Sequence, residues 1–355
     1  MRIGILTSSI AGNYGGIMQN YALQQVLKLW GHIPITIDHY KPYSRVRWIL
    51  GRIKGLLKSS KIDVPFPWYG RVGSKKILRF AFRNIDRTNS VRLITSDIIN
   101  RNKLDAIIVG SDQVWRLKYN NIEASFLSFA EGYDLKRIAY SASFGVEQWD
   151  YPESLTKRCK ELVEKFDAVS VREKSDVELC ANNLGIKVTH TLDPTLLLSN
   201  DSYVEICKDV PRNPNKYLFA YILDPSFEKQ ALVEQFAAKR GLSLTMRNAE
   251  NNLKKDDSIE SWLACFRDTD FVITDSYHGT LFSIIFNKDF LTINNHGRGQ
   301  SRFKSILGQL ELLDRFTDGC HIVDELVQID WDRVNKILAK EKSNSLEYLS
   351  KALST

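Results

Sequence analysis

Along the chain, short runs of branched and aromatic residues alternate with stretches in which apolar positions recur every three or four residues. Residues 3–7, 34–38, 106–110 and 138–142 read as strands, and about 16–29 as a helix. The alternation continues with a helix near 153–165, a strand near 168–171, a helix near 174–184 and a strand near 187–191. After the polar stretch Pro211, Arg212, Asn213, Pro214 and Asn215 it restarts with a strand over 217–223, a helix over 226–239, a strand over 243–246 and a helix over 258–266. Strands at 271–274 and 290–293 follow, then a polar helical tail from about 330 to 353. Apolar strands separated by helices belong to parallel sheets covered on both faces. Proline and asparagine mark 211–215 as a linker. The pattern therefore predicts an α/β protein of two Rossmann-like domains, 1–210 and 216–329, with a cleft between them and a tail, 330–355, able to cross back over the first domain.

At 355 residues the chain exceeds what a single core normally sustains, in keeping with two domains. A hydrophobic fraction of 43% suits a soluble globular protein, and no apolar run reaches the roughly 18 residues that span a bilayer. Met1-Arg2-Ile3-Gly4-Ile5-Leu6-Thr7 reads as a strand rather than a signal peptide, so a cytoplasmic location is expected. Cys159, Cys180, Cys207, Cys265 and Cys320 lack C-x-x-C spacing and the six histidines lack H-x-x-x-H pairing; neither a disulfide framework nor a metal site is expected. No strand is followed by G-x-G-x-x-G or G-x-x-x-x-G-K-[ST], which argues against a standard dinucleotide or Walker-type site, and no cofactor is expected.

The net charge of +7 is unevenly spread: between residues 45 and 92 thirteen cations face only Asp63 and Asp86. Within an insertion over about 43–92, Val46, Ile49, Leu50, Ile53, Leu56 and Leu57 fall at helical spacing, with Arg45, Arg47, Arg52, Lys54 and Lys58 on other faces. Such a basic amphipathic helix docks either on its own domain or, from Arg45 to Lys61, on an anionic membrane surface or a phosphate-bearing lipid. Nucleic acid is not expected, because the aromatics do not interleave with the charges as a stacking platform needs.

Candidate chemistry sits where strands end. In Phe271-Val-Ile-Thr-Asp-Ser276-Tyr-His278-Gly279-Thr280 a buried-strand pattern gives way to a histidine at a helix mouth, where free N–H groups and a partial positive charge would hold an anion beside an imidazole able to move protons. A structural histidine is the plain alternative. After the first strand, Asn13-Tyr14-Gly15-Gly16 and Gln19 form a loop that lets backbone approach a ligand, with donors suited to sugar hydroxyls or an anion; a bare βα turn is the other reading. Ser111-Asp112-Gln113 and Trp115 follow another strand and can hydrogen-bond and stack on a sugar ring, although Asp112 can equally cap a turn. Arg172, at a strand end, either grips a carboxylate or phosphate with its fork or pairs structurally with Asp167 or Glu173. His296-Gly297-Arg298-Gly299-Gln300-Ser301-Arg302-Phe303-Lys304 reads as a mobile anion clamp rather than a solvated basic loop, because a single strand separates it from the His278 helix.

Taken in order, Gly4-Ile-Leu-Thr7, Asn13-Tyr-Gly-Gly16 with Gln19, Gly110-Ser-Asp-Gln-Val-Trp115, Ser170-Val-Arg-Glu173, Leu192-Asp-Pro194 and Asp275-Ser-Tyr-His-Gly279 resemble the polysaccharide pyruvyl transferase family over roughly residues 1–316. The resemblance implies a glycosyltransferase-B-like pair of Rossmann domains, the first facing the acceptor and the second, with His278, facing the donor. It implies transfer of the pyruvyl group of phosphoenolpyruvate, a substrate rather than a cofactor, onto two sugar hydroxyls as a cyclic ketal. By motif, His278 would be the general acid/base and Arg172 a ligand of the phosphoenolpyruvate phosphate or carboxylate. Some members carry an arginine two positions before the histidine, where this chain has Ser276. Arg298, Arg302 or Lys304 would supply that charge, with the Gly279 and Thr280 amides sharing the load. Asn13, Tyr14, Gly15, Gly16, Gln19, Ser111, Asp112 and Gln113 are then expected on the acceptor side. The acceptor would be a sugar of a bacterial surface polysaccharide precursor, carried on a lipid. A nucleotide-sugar-dependent glycosyltransferase on the same scaffold and a non-catalytic glycan- or lipid-binding protein are the competing readings.

Overall fold

The computed structural model describes residues 1–11, 13–40, 75–248, 257–318 and 326–354. The basic helix expected between Arg45 and Lys61, and Cys320, lie outside the described residues.

Two parallel sheets organise the chain. The first contains β1 (Arg2–Leu6), β2 (Ile33–Thr36), β3 (Ala106–Gly110), β4 (Lys136–Ala142), β5 (Ala168–Val171) and β6 (Thr189–His190), in the order β2-β1-β3-β4-β5-β6. The second contains β7 (Tyr217–Tyr221), β8 (Ser243–Arg247), β9 (Phe271–Thr274), β10 (Asp289–Ile293) and β11 (Phe316–Thr317), ordered β11-β10-β9-β7-β8. Between and after the strands run α1 (Tyr14–Leu29), α2 (Lys75–Asn84), α3 (Asp97–Asn102), α4 (Ile122–Ser125), α5 (Glu153–Val163), α6 (Lys174–Leu179), α7 (Asn200–Ile206), α8 (Phe227–Lys239), α9 (Ile259–Asp268), α10 (Tyr277–Ile285), α11 (Ser301–Gln309) and α12 (Trp331–Ser354). No helix among the described residues is long and apolar enough to cross a membrane.

The central strands are apolar throughout because both of their faces are covered: every residue of β3, β7 and β9 is buried. One face of the first sheet packs under α1 and α12, where Leu349, Ala352 and Leu353 meet Ile3, Ile5, Leu23, Ile108 and Tyr140. The C-terminal helix thus lies back on the first sheet, tied to it by Leu192 N–H donating to Ser345 Oγ at 3.0 Å and by the Tyr348 hydroxyl donating to the Ala139 carbonyl at 3.1 Å. The largest core cluster is shared by both halves, with Tyr14, Ile17, Met18, Ile77 and Phe80 packed into one body with Trp262, Phe266 and Phe282. An apolar seam of this kind holds the two halves in one relative placement.

Strand order reverses between β1 and β3 in the first sheet and between β7 and β9 in the second. Loops leaving neighbouring strands in opposite directions open a crevice at their carboxyl ends, which is where ligands collect in open α/β sheets. Every candidate segment except the one around Arg298 follows one of β1, β3, β5 or β9. The expected elements and the observed ones part in three places. The helix expected over 174–184 ends at Leu179 and continues as one wider turn, Cys180–Leu184. The strand expected over 187–191 pairs only through Thr189–His190, since it is an edge strand bonded on one side. The clamp loop expected over 296–304 ends at Gln300, and Arg302 and Lys304 stand on α11, whose apolar Phe303, Ile306 and Leu307 are buried.

Candidate functional site

His278 occupies the second position of α10, immediately after β9. Ser276 is the N-cap, with extended backbone and an Oγ that accepts from Gly279 N–H at 3.2 Å. Thr274 fixes this corner by accepting from Ser276 N–H at 3.0 Å and donating to the Tyr221 carbonyl at 2.6 Å. The Thr280 amide is bonded to the Ser276 carbonyl at 2.9 Å. The Gly279 and Thr280 amides, expected to share an anion's charge, are therefore occupied within the cap, and Ser276 is the group that occupies the first. Of the amides at this helix mouth, these two are committed within the cap.

Asp193 is the hub on the opposite side of the cleft. Its Oδ1 accepts from the amide and hydroxyl of Thr195 at 3.0 and 2.8 Å. Its Oδ2 accepts from Gln19 Nε2 at 2.5 Å and Arg172 Nη1 at 3.3 Å, and lies 3.7 Å from His278 Nε2. Burial alone would raise this carboxyl, but His278, Arg172 and the Thr195 amide outweigh it and hold Asp193 well below the usual carboxylate range. The ionised carboxylate thus faces the imidazole of His278 across the cleft at 3.7 Å. Gly15, on the first turn of α1, closes the other side of the ring: a Cβ there would stand 2.0 Å from His278 Nδ1. Only glycine lets the two domains meet at this point.

Arg172 directly follows β5 and is 3% exposed. It donates through Nε to Glu173 at 2.9 Å and through Nη1 to the Ser111 carbonyl at 2.9 Å, and its guanidinium stands 4.6 Å from the centre of the Tyr277 ring. Burial works against its charge, but Glu173, Tyr277 and Asp193 overcome that and raise its pKa further. Arg302, 8% exposed on the first turn of α11, stands 5.5 Å from the same ring. Among the described residues it has no ion-pair partner, and burial and then the neighbouring Arg172 charge push it down to about 10. Five buried polar atoms here lack partners among the described residues: Arg172 Nη2, Arg302 Nε, His278 Nε2, Ser111 Oγ and Ser301 Oγ. Unpaired buried donors on two adjacent cations, beside an imidazole, form a site that an anion would complete. Ser111 holds φ +51°, strained for a residue with a side chain, and its carbonyl is gripped by both Arg172 and Gln19.

The remaining expected residues divide. Asn13 is exposed at the N-cap position of α1 and its side chain makes no capping bond. Gly16 is half-buried beside Asp112 Oδ2, while Asp112 Oδ1 accepts from the Gln113 amide at 2.8 Å. Gln113 reaches the second domain, donating from Nε2 to the Arg298 carbonyl at 3.3 Å. Arg298 gives Nε and Nη2 to the two oxygens of Asp224 at 2.6 and 2.9 Å, which holds Asp224 at about 2. Its fork is thus committed to that pair, and Gly299, at φ +86°, packs the loop against the Gly145 carbonyl. Lys304 is exposed on α11. Tyr14 is fully buried and turned away from the cleft: its ring stacks on Trp262 at 4.8 Å and 3°, and its hydroxyl donates to Asp257. It pins the two domains together where an open acceptor loop was expected to offer a donor.

Four acidic residues were not singled out as site residues from sequence. Asp193 carries a turn signal, an acidic residue before proline after a strand, but its distance of 85 positions from His278 hides the contact. Asp275, buried between the β7 and β9 loops, accepts from Leu223 and Asp224 amides, Lys229 Nζ and Asn295 Nδ2, and so welds the second switch point. Glu173 and Asp176 form a buried carboxyl pair behind Arg172; burial and Glu173 raise Asp176, so it carries the proton while Glu173 stays charged. Among the described residues no group of three His, Cys, Asp or Glu is arranged to hold a metal ion.

The family model for polysaccharide pyruvyl transferases matches residues 13–297. A search of curated proteins finds no match. Among solved structures, the chain is similar to Staphylococcus aureus MnaA in a co-structure with UDP, with TM-score 0.52 and 12% identity over 98% of this chain and 90% of that one. A putative UDP-N-acetylglucosamine 2-epimerase from Listeria monocytogenes gives TM-score 0.51 and 10% identity, with 98% and 90% covered. The Neisseria meningitidis UDP-GlcNAc 2-epimerase bound to UDP-GlcNAc gives 0.50 and 10%, with 99% of each chain covered. At these identities the likeness concerns the fold, a glycosyltransferase-B-like pair of parallel α/β domains.

Proposed function

Because this chain belongs to the polysaccharide pyruvyl transferase family, we propose that it transfers the pyruvyl group of phosphoenolpyruvate to two hydroxyls of a surface-polysaccharide precursor, forming a cyclic ketal and releasing phosphate. The observation that carries this reading is the buried pair Arg172 and Arg302, each with an unpartnered N–H, at the imidazole of His278. A small, multiply charged enol phosphate is the kind of ligand that supplies what those donors lack.

The site residues support a balanced route. Acting as the acid beside Asp193, His278 gives a proton to C3 of the enol, which becomes a methyl group while positive character builds at C2. The first sugar hydroxyl bonds to C2 and its proton restores the imidazolium. The bond from C2 to the phosphate oxygen then breaks, phosphate leaves with the proton of the second hydroxyl, and that second oxygen closes the ring. Arg172 and Arg302 hold the donor's anionic groups, and their hydrogen bonds strengthen as charge passes to the leaving phosphate. Ser111, Asp112, Gln113, Asn13 and Gly16 line the first-domain side, where the acceptor sugar would rest. A lipid-linked saccharide on the inner face of the cell membrane is the acceptor we favour.

The test is incubation with phosphoenolpyruvate and candidate saccharides, followed by phosphate release. Release that depends on both saccharide and His278 supports the proposal. Turnover of a nucleotide sugar with no phosphate from phosphoenolpyruvate would replace it with glycosyl transfer on the same scaffold.

A further inference from the structure

We propose that Asp112 is the base that takes the proton of the acceptor's second hydroxyl, and that the Asn13 side chain donates to the hydroxyl beside it. The assignment rests on the pyruvyl-transfer reading and deepens it: the acceptor is a sugar that presents two neighbouring hydroxyls to one donor and one carboxylate.

Asp112 lies in the turn after β3. That turn uses only Oδ1, which accepts from the Gln113 amide at 2.8 Å. Oδ2 makes no hydrogen bond or ion pair among the described residues, and no amide in the first turn of α1 donates to it. The carboxylate is half-buried, and near enough to the two arginines of the donor site for its charge to act on both Arg172 and Arg302. Asn13 Nδ2 is likewise unbonded among the described residues. The two groups converge on Gly16: a Cβ there would stand 3.3 Å from Asn13 Nδ2 and 3.7 Å from Asp112 Oδ2. A donor and an acceptor that meet at a residue without a side chain, but do not bond to each other, match a pair of hydroxyls.

The backbone that carries Asp112 is held from the donor site. Ser111, strained at φ +51°, gives its carbonyl to Arg172 Nη1 at 2.9 Å and Gln19 Nε2 at 3.3 Å. Both of those side chains also bond to Asp193 Oδ2. Gly15, the residue before Gly16, meets the His278 ring, so consecutive positions in one turn of α1 approach the imidazole and the carboxylate. After His278 has protonated C3 and the first oxygen has bonded to C2, the bond from C2 to the phosphate oxygen breaks and its electron pair leaves with phosphate. The second hydroxyl oxygen bonds to C2, its proton passes to Asp112 Oδ2, and from there it goes to the departing phosphate.

The full chain is assayed with phosphoenolpyruvate and a saccharide panel that includes methyl hexopyranosides presenting a free diol, with phosphate release followed. Asp112→Asn keeps an acceptor for the Gln113 amide, and we expect it to lower kcat about 100- to 10,000-fold with the KM for phosphoenolpyruvate unchanged. A merely structural Asp112 would raise that KM, because its loss would disturb the backbone gripped by Arg172. Gly16→Ala suits a helix, so the fold is kept, while its methyl group fills the spot where Asn13 and Asp112 converge. It should raise the saccharide KM about tenfold and leave that for phosphoenolpyruvate unchanged. Wild-type kcat in Asp112→Asn, a raised KM for phosphoenolpyruvate, or an unchanged saccharide KM in Gly16→Ala overturns the proposal. A wild-type chain that releases no phosphate with any saccharide fails the transferase reading, and the assignment falls with it; an active wild type with unaffected variants fails the assignment alone.

Discussion

Replacing Arg302 by methionine should make the free protein more stable while it loses its donor. Arg302 is buried, lacks a counter-charge among the described residues, and is pushed down to about 10 by burial and by Arg172. Relative to an ordinary guanidinium that depression corresponds to roughly 3 kcal/mol against the charged form in the fold. The sign is that of a base with a lowered pKa: the penalty is complete at any pH below about 10 and fades only above it. Methionine keeps most of the length and removes the charge, but it forfeits the contacts with Tyr277 at 5.5 Å and Phe303 at 5.4 Å, at about 0.5–1 kcal/mol each. The net gain is on the order of 1–2 kcal/mol, a rise in Tm of a few degrees. Removing hydrogen bonds to a charged ligand should weaken phosphoenolpyruvate binding roughly 10- to 100-fold. Thermal melts with and without phosphoenolpyruvate read both effects: the variant should melt higher alone and lose the ligand-induced rise shown by the wild type. A variant that melts lower and still responds fully to phosphoenolpyruvate would refute the view of Arg302 as a cation held ready for an anion.

Gly15→Ala sits in a helix, where alanine alone would add about 0.5–1 kcal/mol, yet its Cβ would lie 2.0 Å from His278 Nδ1. We expect a folded protein by circular dichroism with phosphate release down at least about 100-fold, since displacement of a catalytic group by an ångström has that scale; near-normal release would show that the imidazole does not need this backing. Asp193→Asn should cost about 3–5 kcal/mol near neutral pH by leaving Arg172 short of a counter-charge. Asp193 is depressed in the fold, so its contribution is present above the ordinary carboxylate pKa and is lost as pH falls toward its folded value. Urea melts from pH 7 to 2 should therefore fall less steeply for the asparagine variant in the acid range, and parallel curves would contradict the assignment of Asp193 as an ionised hub.

The strands at 106–110 and 271–274 were legible to the residue, because runs that are apolar on both faces and bounded by polar turns have little choice of structure. The His278 helix mouth was legible for the same reason, as its polar cap follows directly on such a run. What stayed hidden was long-range. Tyr14 advertises a donor, but its ring is committed to Trp262, nearly 250 positions away. The segment from Ser301 looked like loop because Gly297 and Gly299 precede it and cations crowd it; the signal that could have placed α11 was the i, i+3, i+4, i+7 series Phe303, Ile306, Leu307 and Leu310. That shift changed the chemistry, since a helix buries Arg302 whereas a solvated loop would have exposed it. It also separated Arg302 from Arg298, which spends its fork on Asp224.

The central claim is that His278 protonates an enol held by Arg172 and Arg302, and the most direct test is the mass of the saccharide product formed from phosphoenolpyruvate in deuterium oxide. The account predicts a gain of one pyruvyl unit less water, with a single carbon-bound deuteron in the new methyl group, abolished in His278→Ala. A product lacking that deuteron, or one formed equally well without the imidazole, would contradict it.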